Sequence, residues 1–584
     1  MTFLDRHCVT DALAELYDTQ MNAILDGLIP SRPVVRRPRS SDAWYDYDCR
    51  QAKRLTRRFE RAYAAAVRRS SQHAAQSHGS TSVTSVESAK EAWYAQRRNY
   101  RDLLRRKRSD YWVEMVEANR NSPKGLWRTL DHLLGRGRLP VNPAVMAEGL
   151  SRYFDQKVAA VQASTAGAAE PELPDYTAPA HPGVMFSGFG KISTDDVIAA
   201  IRRLPNKSLA VDPLPVNLLK QVANELAPYL AEVFTRSLEC GHFPSVYKAA
   251  YITPLLKKSG LDATDVRSYR PISNLSVVSK LLERLVAQQL IDYLKTADLL
   301  PQYQSAYRPF HSTETAVLHV LSEILTAVDR GDVAALILLD LSAAFDTVDH
   351  DILLRRLQYS YGVTGSANRW FRSYLCGRTQ YVRLGSTKSS IIHLICGVPQ
   401  GSVLGPILFV LYTADLVRLV ERHSLQVHLY ADDTQVFGSC PPRDVDALQA
   451  RLTACLDDVA LWMRANRLQL NIDKTELLWC ATARRRNQLP STPLRVGSHL
   501  VNPVTSVRNL GIYIDADLSG RTHVTKTAAA CFAALRQLAG ARRSIPTPAY
   551  KSLVVSLVLN RLDYTATQRS AACRTTNVVD CRRF

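Results

Sequence analysis

Two adjacent aspartates, Asp432 and Asp433, lie inside the strand-forming segment HLYADDTQVF at residues 428–437. Neighbouring carboxylates in an apolar setting are costly, because each loses hydration and repels the other. On one extended strand their side chains would point to opposite faces, so both reach one site only where the chain turns. The flanking segments LQVHLYA and TQVFGS predict a β-hairpin with ADD at its bend. For these residues taken alone, a solvated turn is the competing interpretation.

A third acid makes a shared site the better interpretation. Asp340 ends the apolar segment AALILLD (334–340), which is predicted as a strand, and α/β sites collect at such strand ends. Basic residues are scarce in the sequence around the aspartates, which favours a divalent cation as their counter-charge. Three carboxylates are enough to hold two Mg²⁺ ions, or Mn²⁺ in their place, with substrate phosphate oxygens completing each shell. This set of acids without a dedicated base is typical of nucleotidyl transfer.

Two further acids follow shortly afterwards. Asp346 is predicted to cap the next helix, and Asp349 is predicted to compensate the dipole of its first turn. Neither is predicted to bind metal.

The net charge narrows the choice of partner. Lys and Arg number 74 against 54 Asp and Glu, a formal charge of +20, which favours a polyanionic partner. The 11 cysteines show no metal-binding or disulfide spacing, and no signal peptide opens the sequence. The apolar segment at 403–414 is too short to span a bilayer and is predicted as a buried helix. These features predict an intracellular protein without a membrane partner.

Composition divides the chain into regions. Residues 1–159 form a predicted helical region whose arginine-rich segments, between 43 and 140, are either solvated helices or phosphate-contacting ones. An Ala/Pro-rich linker is predicted at 160–189. Alternating helix and strand patterns then predict an α/β (α+β) core at 190–519, followed by helices at 520–565 and an irregular tail at 566–584.

Several segments together resemble the ordered motifs of reverse transcriptases, with the greatest similarity to non-LTR (LINE-type, jockey-like) retrotransposons. They are LLDLSAAFDTVDH (338–350), GVPQGSVLGPILF (397–409), YADD (430–433), LNIDKTELLW (470–479) and NLGIYID (509–515). PLLKKSGLDATDVRSYRPISNLSVVSKLLERLV (254–286) and QYQSAYRPFHSTETAV (302–317) resemble the finger motifs of that family. The resemblance covers roughly residues 190–565 and implies a right-hand polymerase with fingers, palm and thumb, preceded by basic helices.

The resemblance also implies roles for individual residues. Asp340, Asp432 and Asp433 match the metal-binding triad, with Asp340 and Asp432 as the direct ligands. Phe345 matches a steric gate that clashes with a ribonucleotide 2′-hydroxyl; a core phenylalanine is the alternative. Arg308 matches an arginine that clamps the incoming triphosphate, and Lys257 or Lys258 assists it unless they are surface lysines.

The remaining implied roles concern the template, the leaving group and the primer. Gln400 and Gly401 match a loop that contacts dNTP and template before a helix predicted to open at Pro406. Lys474 matches a lysine that protonates the departing pyrophosphate, with a solvated turn lysine as the alternative. The primer-grip hairpin corresponds to Leu510, Gly511 and Ile512.

Three departures from the family pattern accompany these matches. Ala306 stands where the family usually has glycine, the first 190 residues carry no endonuclease metal site, and the tail loses helical periodicity. The sequence therefore predicts an RNA-directed DNA polymerase that uses an RNA template, a DNA primer or target DNA, and dNTPs. It is expected in the nucleus or cytoplasm as a ribonucleoprotein, without its own endonuclease and with a truncated thumb. The alternative is an inactive remnant that only binds nucleic acid.

Overall fold

A computed structural model describes residues 3–28, 44–74, 83–119, 122, 125–127, 130, 143–172, 185–206, 212, 214–258, 261–497, 499–542 and 545–563. They fall into two compact units. The first holds the described residues of Met1–Ser31 and Pro140–Thr522, and the second holds those of Arg32–Leu139 and His523–Arg569. The predicted region 1–159 is therefore divided between the two units. The tail at 566–584 lies outside the described residues.

The helices are given in chain order. They are α1 (Phe3–Leu28), α2 (Tyr47–Ala74), α3 (Val83–Ala118), α4 (Pro143–Thr165), α5 (Thr194–Arg202), α6 (Val216–Gln221), α7 (Ala223–Cys240), α8 (Val277–Thr296), α9 (Thr313–Asp329), α10 (His350–Tyr359), α11 (Gly365–Leu375), α12 (Leu404–Thr413), α13 (Leu416–Arg422), α14 (Val445–Ala465), α15 (Arg521–Ala541) and α16 (Thr547–Val554). None of these described helices is long and apolar enough to cross a membrane.

The strands are numbered in the same way. They are β1 (Ala249–Leu256), β2 (Tyr269–Asn274), β3 (Val333–Leu339), β4 (Arg378–Leu384), β5 (Thr387–Lys388), β6 (Ile392–Leu394), β7 (Gln426–Tyr430), β8 (Asp433–Cys440), β9 (Glu476–Cys480), β10 (Leu494–Val496), β11 (His499–Val501), β12 (Pro503–Val504), β13 (Ser506–Asn509) and β14 (Ile512–Asp515). The first unit is thus mixed α/β, as predicted.

A five-stranded sheet in the order β12-β9-β3-β8-β7, termed the central sheet, forms the middle of the first unit. Strand β3 lies between β8 and β9 and is antiparallel to both. Its apolar residues pack on both faces: Ala335 and Ile337 join the main core, whereas Ala334 and Leu336 pack with α9. Burial on both faces explains why β3 reads as a continuous apolar segment.

A second sheet, in the order β2-β1-β4-β5 with β6 beside β4, is covered by α4. Helix α4 packs Ala147 and Leu150 against Ile252 and Val382 of this sheet. The helix extends to Thr165, so the predicted linker start at residue 160 is wrong by six residues. The prediction failed because an Ala-rich helix end resembles a linker in composition. Residues 173–184 of that linker lie outside the described residues.

The second unit contains α2 and α3, together with most of α15 and all of α16. Helices α2 and α3 pack along each other, and the Tyr63 ring stacks on Trp93 with centroids 5.5 Å apart. Leu538 of α15 and Leu553 of α16 share a small apolar core with Val116 of α3. The helices predicted beyond residue 520 are confirmed.

Candidate active site

The three predicted acids meet at one end of the central sheet. Asp340 directly follows β3, whose last residue, Leu339, pairs with Thr434 of β8. Asp432 lies in the turn between β7 and β8, and Asp433 is the first residue of β8. The β7–β8 register closes with Tyr430 opposite Asp433, so the hairpin predicted from HLYADDTQVF is confirmed. Antiparallel pairing of β3 with β8 thus brings acids that are far apart in sequence to one edge.

The turn that carries Asp432 is held by a neighbouring segment. Ala431 has a φ of 56°, a left-handed conformation that is uncommon for a residue with a Cβ. The Gln304 side chain accepts the Ala431 amide N–H at 3.0 Å, and Ser305 donates its N–H to the Leu429 carbonyl at 3.0 Å. Gln304 is buried and was not identified from the sequence. Nothing in the sequence around Gln304 indicates that its side chain contacts Ala431, more than a hundred positions later.

The acids differ in their electrostatic surroundings. Burial raises the pKa of Asp433 to about 6, and the charges of Asp432 and Asp340 add to this increase. Burial also raises the pKa of Asp432, against which the charges of Lys474 and Arg270 act. Closely spaced carboxylates with raised pKa values bind a divalent cation favourably, because the cation replaces both the lost hydration and the missing counter-charge.

Basic residues are scarce in the sequence around the aspartates, yet Lys474, which the resemblance assigns to the site, binds Asp340. Lys474 Nζ donates to Asp340 Oδ2 at 2.8 Å, and the Asn471 side-chain amide donates to the same oxygen at 3.0 Å. The Asn471 backbone N–H also binds the Asp340 carbonyl oxygen at 2.8 Å. The residues next to the acids in sequence do not indicate this bond, because a later segment of the chain brings Lys474 to Asp340. Asn471 was not predicted at all.

No group of three or more His, Cys, Asp or Glu side chains in the described ranges is arranged around a single metal position. The carboxylate oxygens nevertheless have the chemistry that Mg²⁺ prefers. A cleft of about 430 Å³ adjoins them, and its lining includes Lys258, Asp340, Asp433, Lys474, Arg508 and Leu510. Metal ligation by the triad therefore remains a prediction.

The loop that contains Gln400 is fastened to the segment around Phe345. Val398 donates its N–H to the Phe345 carbonyl at 2.8 Å, and Gly397 donates to Val348 at 2.7 Å. Gln400 Nε2 lies 3.0 Å from both carboxylate oxygens of Asp346. The Phe345 ring stacks on Phe409 with centroids 4.4 Å apart.

Asp346 is therefore not the helix cap that its position predicted. Asp349 caps α10 instead, by accepting the Ile352 N–H at 2.9 Å. The helix starts three residues later than expected, and Asp346 turns towards Gln400. Burial raises the pKa of Asp346 to about 6, although Lys157 and the Gln400 amide oppose this increase.

Gly401 has a φ of 118°, and a Cβ at this position would overlap the Ser273 carbonyl oxygen. Glycine is thus required by both conformation and close approach. Helix α12 begins at Leu404 rather than at Pro406, because Glu283 of α8 reaches its first amides. Glu283 Oε2 accepts from Val403 N–H at 2.7 Å and from Leu404 N–H at 3.1 Å.

Asp346→Asn is expected to stabilise the first unit at alkaline pH. The folded-state pKa of about 6 exceeds the ordinary 3.8, so the stability contributed by the neutral acid is complete below 3.8 and is lost as pH rises through 6. Asparagine stays neutral, so the free energy of unfolding should rise by about 1–3 kcal/mol at pH 8. The gain should shrink towards pH 4. Urea unfolding at both pH values measures it, with exposed Asp351→Asn as the control; an equal effect at both pH values would contradict it.

Arg308 lies beside the site but is engaged locally. Its Nη1 donates to the carbonyls of Pro301, Gln302 and Gln304 at 2.7, 3.2 and 3.3 Å. These bonds brace the loop that holds the Ala431 turn. These bonds give Arg308 a structural role, and its contact with the incoming triphosphate stays a prediction.

A second set of basic residues consists of Lys257 and the cations whose charges act on it. Lys257 Nζ donates to the Arg267 carbonyl at 2.7 Å. Burial lowers the pKa of Lys257, and the charges of Lys157, Lys474 and Arg270 lower it further. Cations that repel one another beside the acids favour the binding of a polyanion, whose charge offsets this repulsion. Arg270, an exposed residue of β2 in the segment SYRPIS, was not singled out from the sequence.

The predicted primer-grip residues form a tight hairpin turn. Asn509 pairs with Ile512 across β13 and β14, and the two residues between them, Leu510 and Gly511, have φ values of 44° and 99°. Positive φ at both central positions is typical of the two-residue turns that join twisted strands. Leu510 lines the cleft, so this turn and Asp340 border the same space.

Comparison with known proteins agrees with this geometry. Residues 256–514 match the model of the family described as reverse transcriptase (RNA-dependent DNA polymerase). This region of the chain belongs to the reverse transcriptase family. Every residue predicted for the site lies inside the matched range.

Three relatives with similar sequences belong to mobile elements of Drosophila melanogaster. The probable RNA-directed DNA polymerase from transposon BS is 28% identical over 76% of this chain and 50% of the relative. The RNA-directed DNA polymerase from mobile element jockey is 29% identical over 57% and 36%. The probable polymerase from transposon X-element is 30% identical over 56% and 35%. This chain thus spans half or less of the length of these relatives, and its sequence is similar to those of the BS, jockey and X-element polymerases.

Among solved structures, an apo telomerase from Candida tropicalis truncated from its C-terminal domain is similar with a TM-score of 0.32 and 13% identity. The match covers 47% of this reverse transcriptase and 55% of the telomerase chain. A TM-score of this size supports no inference.

Proposed function

We propose that this chain is an RNA-directed DNA polymerase that extends a DNA 3′-end on an RNA template. The observation that carries the proposal is the convergence of Asp340, Asp432 and Asp433 at one edge of the central sheet, beside a cleft. Membership of the reverse transcriptase family supports the same chemistry. In this proposal the central sheet is the palm, the second sheet belongs to the fingers, and α15 and α16 belong to the thumb.

Asp340 and Asp432 would hold two Mg²⁺ ions, with Asp433 as the weaker ligand. Bound Mg²⁺ supplies charge neutralisation and an activated 3′-hydroxyl for two-metal nucleotidyl transfer. Lys474, whose Nζ binds Asp340 Oδ2 at 2.8 Å, would be the residue that donates a proton to the departing pyrophosphate. Asn471 keeps its two bonds to Asp340 and orients the carboxylate.

The chain's own residues would also place the substrates. Lys257 and Arg270 would face the triphosphate, since the charge of Arg270 acts on both Lys257 and Asp432. Gln400 and Gly401 contact the dNTP and the template, and Asp346 holds the Gln400 amide. The turn at Leu510, Gly511 and Ile512 supports the primer end. Template RNA, primer or target DNA, and dNTPs are thus the proposed partners.

Primer extension by the purified full chain tests this proposal. The assay uses a DNA primer annealed to an RNA template of defined sequence, with all four dNTPs and Mg²⁺ or Mn²⁺. We expect products whose length follows the template and which vanish when EDTA removes the metal. Omitting single dNTPs should stop synthesis at the corresponding template base. Tight RNA binding with no synthesis under either metal would overturn the proposal and favour the alternative of a nucleic-acid-binding remnant.

Phe345→Val should weaken the rejection of ribonucleotides. Removing a ring at a proposed steric gate typically lowers discrimination by about 1–3 kcal/mol, or roughly 10–200-fold. The ratio of kcat/KM for dNTP and rNTP incorporation measures this effect, and Phe345→Tyr is the control because it keeps the ring stacked on Phe409. If the valine variant lost stability while its rNTP discrimination stayed unchanged, Phe345 would be a core residue only.

A further inference from the structure

The arginines of α2 form a surface that the proposed polymerase site does not use. Residues of α2 that face α3 recur at heptad spacing and are buried or half-buried; among them are Cys49, Ala52, Thr56, Phe59, Tyr63 and Ala66. A repeat of alternating three- and four-residue steps is the seam of a coiled coil. The packing partner of this seam is therefore α3, and the opposite face of α2 is left to solvent.

That opposite face has a single sign of charge. Its arginines, all exposed, are Arg50, Arg54, Arg57, Arg58, Arg61 and Arg68, termed the arginine ridge. Glu60 is the only acid between the first and last of them, and it lies to one side of the ridge. None of the described ion pairs involves a ridge arginine. A face built from like charges at one-turn spacing repels itself, which makes an external polyanion its natural partner.

The outer face of α3 provides a contrast within the same hairpin. It mixes acids with bases: Glu87, Glu91, Arg98, Arg101, Asp102, Arg105 and Arg108 are exposed. Arg105 lies 3.7 Å from Asp102, an i,i+3 pair. Mixed charge of this kind is what a solvated helix face requires. The single-sign ridge on α2 therefore differs from an ordinary solvated surface.

We propose that the arginine ridge of α2 binds the phosphate backbone of a nucleic-acid duplex without regard to sequence. The ridge from Arg50 to Arg68 is about 27 Å long at about 1.5 Å per residue, which matches roughly eight base pairs at about 3.4 Å per step. Arginine suits phosphate because its planar guanidinium donates in pairs. An anionic membrane fits less well, because the apolar side of α2 is packed against α3 and is not available to enter lipid.

The test compares two full-length variants that each lose four positive charges. The ridge variant carries Arg54→Gln, Arg57→Gln, Arg61→Gln and Arg68→Gln, whereas the control carries Arg98→Gln, Arg101→Gln, Arg105→Gln and Arg108→Gln on α3. Binding to a fluorescein-labelled 30-base-pair duplex is measured from 50 to 200 mM salt. The slope of log K against log salt should become shallower by about 3 for the ridge variant and by less than about 1 for the control.

Four further measurements complete the test. A lysine version of the ridge variant should keep the wild-type slope, and two unrelated duplex sequences should bind equally. Primer extension on a short hybrid that fills only the cleft should be unchanged in the ridge variant, so a failure here is separable from a failure of the polymerase proposal. Equal slopes for the ridge variant and wild type would overturn the inference. The inference would also be overturned if the ridge variant bound vesicles rich in anionic lipid more weakly than wild type but bound the duplex equally well.

Discussion

Asp432→Ala is expected to reduce RNA-templated DNA synthesis by roughly 10³-fold or more, because alanine removes one of the two carboxylates proposed to bind metal directly and leaves Asp340 with only the weaker ligand Asp433. The fold should survive this change. Burial raises the pKa of Asp432, so the folded state bears a cost for its ionised form at neutral pH, and alanine removes that cost. We therefore expect lost synthesis together with an unchanged or higher unfolding temperature.

Primer extension and thermal unfolding on the same preparations measure both effects. Asp351→Ala is the matched control, because Asp351 is an exposed acid whose bond to Arg372, at 3.3 Å, lies on the surface of the same unit. The control should keep wild-type activity. Equal incorporation by wild type and Asp432→Ala would show that the site lies elsewhere. A variant that lost both activity and thermal stability would instead show that Asp432 is needed for the fold.

Glu283→Ala is expected to have the largest effect on stability. The carboxylate is fully buried and accepts the N–H groups of Val403 and Leu404 at the start of α12. The buried Arg378 lies close enough for its charge to lower the pKa of Glu283, which burial raises. Alanine would leave two amides and one guanidinium without their acceptor or counter-charge. Each buried amide left without an acceptor costs about 1–3 kcal/mol, so we expect a loss of several kcal/mol in the free energy of unfolding.

Urea unfolding followed by tryptophan fluorescence measures this loss, since Trp370 stacks on Tyr374, whose hydroxyl donates to Glu283. Glu283→Gln keeps a side-chain oxygen for the amides and should lose less stability than alanine. Glu232→Ala serves as the control, because Glu232 forms an exposed i,i+4 pair with Arg236. Its loss should stay below about 0.5 kcal/mol. Similar unfolding midpoints for Glu283→Ala and Glu232→Ala would exclude the proposed role of Glu283 in fixing α12.

Local patterns were enough to predict the strands and the hairpin of the site. Continuous apolar residues predicted β3, and alternation around two acids predicted the β7–β8 turn. Antiparallel pairing of β3 with β8 then accounts for the position of Asp340 beside Asp432. The alternation of helical and strand-like hydrophobic periodicity along the chain predicted the mixed α/β class in the same way. In each of these cases the information lay within about ten consecutive residues.

The contacts that could not be predicted from the sequence all join distant segments. Glu283 looks like an ordinary polar residue of an amphipathic helix, and its partners lie 120 positions later. Asp346 fits the pattern of a helix cap, yet it holds Gln400 across 54 positions. Lys474 lies 134 positions after Asp340. A polar side chain carries no local mark of the partner it will find, because hydrogen-bond partners are set by tertiary packing and not by periodicity.

The bond between Gln304 and Ala431 has a consequence for how sequences of this kind can change. The backbone of the turn before Asp432 is satisfied by one side chain from a separate segment, and the turn has a left-handed residue at its centre. A substitution at position 304 alone leaves that amide without an acceptor, and one at 431 alone alters the conformation that Gln304 recognises. Positions 304 and 431 are thus expected to vary as a pair among relatives. Substitutions in these two short motifs, far apart in the chain, should therefore occur together.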